Sequence, residues 1–139
     1  MNRPNLVIIM TDQQRADLRK GEGYPLDTMP FVDSLGASGV DFASAYTPNP
    51  SCLPARVSMM TGRYTQCHRA RTNHNGVDAY YTEDLLDVVK KAGYRTALCG
   101  KNHSQHPDSD FDYANTNGHW GNHQPFEETE ASRAVSEFL

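Results

Sequence analysis

The chain has 139 residues, of which 37% are hydrophobic and 22% are charged, and this composition is ordinary for a globular domain. Its formal net charge of −4 gives no general attraction to nucleic acids or anionic membranes, although a small cationic pocket for an anion remains compatible with it. No apolar run approaches the roughly 20 residues that span a bilayer, and residues 6–10 are too short for a signal-peptide core, so we expect a soluble, cytoplasmic protein.

The first part of the chain predicts a strand, a helix and a second strand. Residues 5–10 are continuously apolar and β-branched, which is typical of a parallel strand covered on both faces. Asp12 follows at the carboxyl end of this strand, where open α/β sheets keep their ligand sites. Thr28 can cap a helix over residues 28–37, and residues 40–46 then have a strand pattern.

The middle of the chain predicts two more helices. Pro54 favours a helix that runs to Met60, because the first turn does not need the N–H that proline lacks. Cys52 then lies at or just before the N-terminus of that helix. A helix over residues 83–92 has Thr82 as its predicted cap, acidic residues at its start, two lysines at its end and a glycine after it.

The last part of the chain predicts one strand and a long loop. Residues 94–99 have a strand pattern, and Gly100-Lys101-Asn102-His103 leaves its carboxyl end. Residues 104–125 are rich in Asp, Asn, Gly, His and Pro and predict a long loop. An amphipathic helix begins near residue 129 without a C-terminal signal, which favours a chain cut within a domain. The alternation of strands and helices predicts an α/β fold with a mostly parallel sheet.

The segment around Cys52 predicts an anion site. A nucleophile at a helix N-terminus lies where free N–H groups and the helix dipole attract anions, and Arg56 adds a permanent cation one turn further on. A bare cysteine there suggests a thiolate nucleophile. Thiolate phosphatases, however, resemble Cys-x5-Arg, whereas only three residues separate Cys52 from Arg56.

Cys52-Leu53-Pro54-Ala55-Arg56 instead resembles the Cys-x-Pro-x-Arg recognition sequence of formylglycine-dependent sulfatases, members of the alkaline phosphatase superfamily. Thr61-Gly62-Arg63 extends the match in register. The segments 5–15, 30–42 and 93–103 resemble, in order, the first strand with its metal-binding Asp, the helix and strand that follow it, and the Gly-Lys-x-His segment. Residues 1–139 are therefore interpreted as the N-terminal part of a sulfatase catalytic domain, with the C-terminal remainder absent.

The resemblance implies that a formylglycine-generating enzyme oxidises Cys52 to formylglycine, whose hydrated aldehyde attacks the sulfur of a sulfate ester and later releases sulfate. It implies that Arg56, Lys101 and His103 are catalytic residues that contact the formylglycine or the sulfate. The implied substrate is a small sulfated molecule, and the family pattern does not separate an aryl sulfate, choline sulfate and a sulfated sugar.

The resemblance also implies a Ca²⁺ or Mg²⁺ ion bound by Asp12, Gln13 and the modified Cys52. Gln13 stands where many relatives have a second Asp, and its amide oxygen supplies a ligand without the charge. Sulfatases draw further metal ligands from later in the chain, so we expect residues 1–139 alone to lack normal activity.

Plainer alternatives exist for each residue. Cys52 alone would be interpreted as a small buried residue and Asp12 as a turn or cap residue. Lys101 and His103 would be solvated loop residues, and Arg56 a surface ion-pair partner. Alternatives for the whole function are a formylglycine-dependent phosphonate or phosphate diester hydrolase, a non-catalytic decayed fragment, and a thiol enzyme that uses unmodified Cys52.

Other polar or reactive residues have weaker contexts. Cys67 and Cys99 are predicted to be buried structural thiols. His119 and His123 have a four-residue spacing that would suit a metal on a helix, but nearby glycines argue against that helix. Asn102-His103-Ser104 matches a glycosylation acceptor only formally, because no secretion signal precedes it.

Overall fold

The computed structural model describes residues 3–74, 79–116, 133 and 135–136. The chain divides into two compact units, Met1–Tyr46 and Thr47–Leu139, and each is described separately. Within the described residues, no helix combines the length and the apolar character needed to cross a membrane.

The first unit contains one α-helix, α1 (Pro30–Ser38), preceded by short 3₁₀ turns at Ala16–Leu18 and Lys20–Glu22. The helix begins at Pro30, later than predicted, and the cap residue is Met29, which makes no side-chain capping bond. Thr28 is not the cap. Its hydroxyl donates instead to the carbonyl of Leu18 and so ties the start of α1 to the first 3₁₀ turn.

The two strands predicted for this unit, residues 5–10 and 40–46, are wrong, because neither segment forms a strand. The expected burial is wrong as well, since every side chain from Leu6 to Met10 is between 41% and 82% exposed. A strand is defined by hydrogen bonds to a neighbour, and an apolar sequence run supplies none by itself. The apolar residues Phe31 and Leu35 of α1 are likewise exposed.

An ion-pair network joins the parts of the first unit. The guanidinium of Arg19 donates to Asp33 of α1 at 3.0 Å and to Asp41 beyond the helix at 2.7 Å. The backbone N–H of Gly21 donates to the second oxygen of Asp33 at 3.3 Å. One side chain therefore links three segments of this unit.

The second unit is built around α2 (Cys52–Thr61). Leu53 and Val57, one turn apart on this helix, form the core of the unit with Ala70, and Ala79 packs against them. Full burial of a side chain such as Val57 stabilises a fold by about 1.5–3 kcal/mol. The helix ends at Gly62, whose φ of 65° is the left-handed conformation that glycine adopts without strain.

A short helix, α3 (Thr65–His68), follows α2 and is joined to it by a buried hydrogen bond. His68 is completely buried, and its Nε2 lies 2.8 Å from the hydroxyl oxygen of Ser58. Its Nδ1 accepts the backbone N–H of Ala70 at 3.2 Å. Because Nδ1 accepts, the proton of the neutral ring is on Nε2 and points at Ser58.

Helix α4 (Leu85–Lys91) is shorter than predicted. Its cap is Asp84 rather than Thr82, and Asp84 forms a capping box with Asp87, in which each side chain accepts the other's backbone N–H at 3.2 Å. The glycine terminator is confirmed: Gly93 has a φ of 79°, and the N–H of Tyr94 returns to the carbonyl of Val89 as in a Schellman motif.

Two strands follow α4 in the described part of the second unit. β1 (Ala97–Gly100) and β2 (Tyr113–Thr116) pair in parallel, with Ala97 opposite Tyr113 and Gly100 opposite Thr116. The predicted loop over residues 104–125 is therefore wrong for its described part, which contains a 3₁₀ turn at Asp108–Asp110 and then β2. Helices together with a parallel strand pair agree with the predicted α/β class, although the described sheet has only two strands.

Asp112 lies directly before β2. Its carboxylate accepts both the N–H of Thr96, at 2.7 Å, and the hydroxyl of Thr96, at 2.9 Å, and the N–H of Asp112 donates back to that hydroxyl at 3.2 Å. These bonds fix the register of the strand pair at its beginning. The predicted metal pair His119 and His123 lies outside the described residues, and of the helix predicted from residue 129 only residues 133, 135 and 136 are described, all of them helical.

Candidate active site

Cys52 is the first residue of α2, as the sequence predicts to within one position. Its side chain is half-buried. The helix start is less open to an anion than expected, because the N–H of Leu53 donates to the side chain of Asn73 at 3.0 Å and Pro54 has no N–H. Attraction of an anion to this end of α2 must therefore come mainly from the helix dipole and from nearby cations.

Lys101 supplies one of these cations. β1 ends at Gly100, whose φ of 91° turns the chain away from the sheet in a conformation that side-chain-bearing residues rarely adopt. The turn brings the Lys101 ammonium nitrogen to 3.6 Å from the sulfur of Cys52. Residues 49 positions apart in sequence thus meet at the N-terminus of α2.

Arg56 holds the same arrangement from the helix side. It lies one turn after Cys52, and its Nη1 donates to the backbone carbonyl of Lys101 at 3.3 Å. The bond ties the loop after β1 to α2, and it keeps a guanidinium next to the ammonium–sulfur pair. Three of the four predicted catalytic residues, Cys52, Arg56 and Lys101, are therefore joined by direct contacts.

His103 lies in the same loop, two residues after Lys101, and is buried. Between them Asn102 is buried as well and organises the loop: its amide nitrogen donates to the carbonyl of His106 at 2.9 Å and to Asp108 at 2.6 Å. Its amide oxygen accepts the backbone N–H and hydroxyl of Ser104. Asn102 is thus held inside the fold, and its role here is structural rather than that of an exposed acceptor.

The predicted metal ligands Asp12 and Gln13 belong to the first unit and are exposed. Gln13 has a φ of 56°, and such a left-handed conformation is uncommon for a residue other than glycine and is found at ligand sites more often than elsewhere. A carboxylate and an amide oxygen are chemically suited to a hard cation. Among the described residues, however, no group of three or more His, Cys, Asp and Glu side chains could hold a metal, so these two oxygens are at most part of a site.

Burial shifts the pKa values of a histidine and a cysteine in the second unit. Burial lowers the pKa of His68, which keeps the ring neutral against Ser58. Burial also raises the pKa of the Cys99 thiol, which keeps that half-buried group protonated. The prediction that Cys67 is buried is wrong, because its side chain is exposed on the short helix α3.

Sequence reasoning missed several residues that position this site. Asn73 caps the start of α2 from 20 residues away, Ser58 and His68 couple α2 to α3, and His106 joins two carboxylates under the loop. The local sequence signal for Ser58 is a polar residue between the apolar Val57 and Met59 of this helix. The other contacts depend on long-range folding and leave no local pattern.

Comparison with known proteins places these segments in a single family. The family model described as Sulfatase matches residues 4–137. An arylsulfatase of Clostridium perfringens is 36% identical over 101 residues, which are 73% of this chain and 21% of the relative. Human arylsulfatase K is 34% identical over 98 residues, 70% of this chain and 18% of the relative.

A protein of Escherichia coli named uncharacterized sulfatase YidJ is 39% identical over 104 residues, covering 74% of this chain and 20% of that protein. The chain thus spans about a fifth of the length of the curated relatives it matches. No solved structure matches it significantly.

Proposed function

We propose, because this chain belongs to the sulfatase family, that the protein of which it forms at least a part hydrolyses sulfate esters with a formylglycine made from Cys52. The observation that carries the proposal is the contact of Lys101 with the Cys52 sulfur, reinforced by the bond from Arg56 to the Lys101 carbonyl. A thiol at a helix start with two cations around it is suited to a reaction on a tetrahedral anion.

Each residue has a defined task in this proposal. The hydrated aldehyde, once formed at position 52, supplies the oxygen that attacks the ester sulfur. Lys101 stabilises negative charge on the sulfuryl oxygens, because its ammonium lies where the group at position 52 meets the substrate. Arg56 fixes the loop that carries Lys101 and adds a second permanent charge. His103 is proposed to give a proton to the departing alcohol.

The cation is proposed to be Ca²⁺ or Mg²⁺, with Asp12 and Gln13 as two of its oxygen ligands. Such an ion would neutralise charge on the sulfuryl group. The described residues supply only part of a coordination shell for this ion. We further propose a small sulfated substrate, of the aryl sulfate, choline sulfate or sulfated sugar class, and a formylglycine-generating enzyme as the partner that modifies Cys52.

Mass spectrometry of the chain co-expressed with a formylglycine-generating enzyme tests the nucleophile. We expect the peptide that contains Cys52 to lose the mass that separates a CH₂SH group from an aldehyde. Cys67 is a built-in control: it is exposed and has an arginine four residues later, Arg71, but Arg69 stands where the motif has proline, so its peptide should keep the thiol. A Pro54→Ala variant, which removes one element of the motif, should be converted less.

An unmodified Cys52, under conditions that convert a known sulfatase, would contradict the formylglycine assignment and favour chemistry of the thiol itself. If Cys52 is converted, a protein that combines this chain with the rest of a sulfatase domain should release sulfate from an aryl sulfate. Cleavage of phosphonate diesters in place of sulfate esters would instead assign the protein to the other branch of formylglycine chemistry.

A further inference from the structure

A buried cluster of charged groups lies beneath the loop that carries Lys101. His106 is 9% exposed, its Nε2 is 2.5 Å from Asp84, and its Nδ1 is 2.8 Å from Asp110. The side chain of Asp84 is completely inaccessible, while that of Asp110 is 41% exposed. We call these three residues the Asp84–His106–Asp110 triad.

The hydrogen bonds around the triad hold its histidine between two carboxyl groups. Both oxygens of Asp84 accept N–H groups, one from the backbone of Asp87 at 3.2 Å and the other from the side chain of Gln105 at 2.9 Å. One ring nitrogen of His106 faces Asp84 and the other faces Asp110, so both nitrogens of the ring have a partner.

Aromatic rings enclose the rest of the histidine. Tyr81 and Phe111 present their edges or faces to it at ring-centroid distances of 6.4 and 6.2 Å. Burial is the main cause that raises the pKa of Tyr81, so its hydroxyl remains neutral beside the triad. The charged groups that directly face His106 are therefore the two carboxylates, one from the cap of α4 and one from the 3₁₀ turn before β2.

The triad is connected to the loop of the candidate site through the backbone. The backbone carbonyl of His106 accepts a hydrogen bond from the buried side-chain amide of Asn102 at 2.9 Å. The backbone N–H of His106 donates to the hydroxyl of Ser104 at 3.2 Å. Asn102 is the residue between Lys101 and His103. Anchoring His106 therefore anchors the segment that presents both proposed catalytic side chains.

We propose that His106 is a positioning residue, whose ring is held by a carboxyl group at each nitrogen, and that it fixes the loop of residues 101–106 against α4 and so holds Lys101 at the sulfur of Cys52. The inference rests on the proposed function, since it assigns His106 to the placement of a catalytic lysine. It extends that function to a residue that touches none of the reacting groups. Loss of the triad should loosen the loop while α2 and its core remain folded.

The experiment uses the unmodified chain, so it does not depend on formylglycine or on turnover. A short amine-to-thiol crosslinker should join Lys101 to Cys52, and peptide mass spectrometry measures the yield of that linkage. We expect a several-fold lower yield in His106→Gln, because its single amide nitrogen cannot take the places of both ring nitrogens between Asp84 and Asp110. His74→Gln, the same change at an exposed histidine outside the triad, should keep the original yield.

Nuclear magnetic resonance of the ¹⁵N-labelled histidine ring supplies the signature that a merely structural residue would not show. The ring nitrogen signals of His106 should move in Asp110→Asn, because that variant changes one of the two carboxyl groups that face the ring. Signals that do not respond to Asp110→Asn would overturn the proposal, and so would an unchanged crosslink yield in a folded His106→Gln variant.

If His106→Gln does not fold, Asp110→Asn decides, because it removes one charge at a partly exposed position and should give an intermediate crosslink yield. An unchanged yield in that variant would also overturn the proposal. Failure of Cys52 to become formylglycine would leave the crosslink and ring signals as they are, so failure of the proposed function is distinguishable from failure of the positioning role.

Discussion

Replacing Ser58 by alanine tests the coupling between α2 and α3. The Nε2–H of His68 donates to the Ser58 hydroxyl at 2.8 Å inside a site where His68 has no exposed surface. Ser58→Ala removes that acceptor and leaves the buried N–H without a hydrogen bond, a loss of about 1–3 kcal/mol of unfolding free energy. Ser51→Ala is the matched control, since Ser51 precedes the same helix but makes no side-chain capping bond, and we expect a much smaller change.

The buried pair Ser58 and His68 also predicts how the unfolding free energy depends on pH. Burial lowers the pKa of His68 in the folded chain, so between that value and the ordinary pKa near 6.5 the unfolded chain binds a proton that the folded chain excludes. Unfolding free energy must then rise with pH through this window and decrease as the solution is acidified below about pH 6.5. One proton limits this contribution to about 1.4 kcal/mol per pH unit.

Urea unfolding followed by circular dichroism, at several pH values between 5 and 8, measures both effects. His68→Gln should flatten the part of the profile due to this residue, although it destabilises the chain overall. The buried bond between Ser58 and His68 would be refuted if Ser58→Ala were as stable as the Ser51→Ala control. It would also be refuted if the stability of His68→Gln depended on pH as steeply as that of the parent chain.

Three further predictions concern single elements of the second unit. Asp84→Ala should destabilise the chain by more than the roughly 0.5–2 kcal/mol of a lost helix cap, because it also removes a hydrogen-bond partner of the buried His106. Asp84→Asn should retain the cap bond, and thermal unfolding compares the two variants. Gly62→Ala should lose about 1 kcal/mol through its left-handed φ alone, since an added Cβ meets no atom within 4 Å, and Gly62→Asn should lose less. Hydrogen bonds from Thr96, the backbone N–H foremost, lower the pKa of Asp112 in the folded chain. The stability that these bonds provide is present above the ordinary carboxyl pKa and is lost as pH falls through the pKa of the folded chain. Acid unfolding of Asp112→Asn should therefore lack this pH-dependent loss of stability.

The candidate site was predictable where its signals are local. Pro54 and Cys52 mark the start of α2, and the structure begins the helix at Cys52. Arg56 follows one turn later by helical geometry alone. Spacing could not show that Arg56 bonds the carbonyl of Lys101, or that Asn73 occupies an N–H at the helix start, because those partners are 45 and 20 residues away.

The helix ends were likewise predictable where a single residue sets them, and not where long-range contacts decide. Gly93 terminates α4 as the sequence predicts, and Gly62 terminates α2; both have a positive φ, which is a property of the single residue. The cap of α4 was misplaced by two residues because Thr82 and Asp84 are both good caps, and Asp84 is favoured by its capping box with Asp87 and its bond to His106. Local preference allowed both caps, and tertiary contacts selected one.

The sequence by itself determined the family, the cysteine that begins α2, and the turns that follow its helices, because each depends on residues within a few positions of one another. Tertiary structure alone decided which polar side chains meet: Lys101 with Cys52, and His106 with Asp84. It also decided that residues 5–10 form no strand here, however apolar they are. A strand and a long-range contact both require a partner from elsewhere in the chain, and no local pattern specifies that partner.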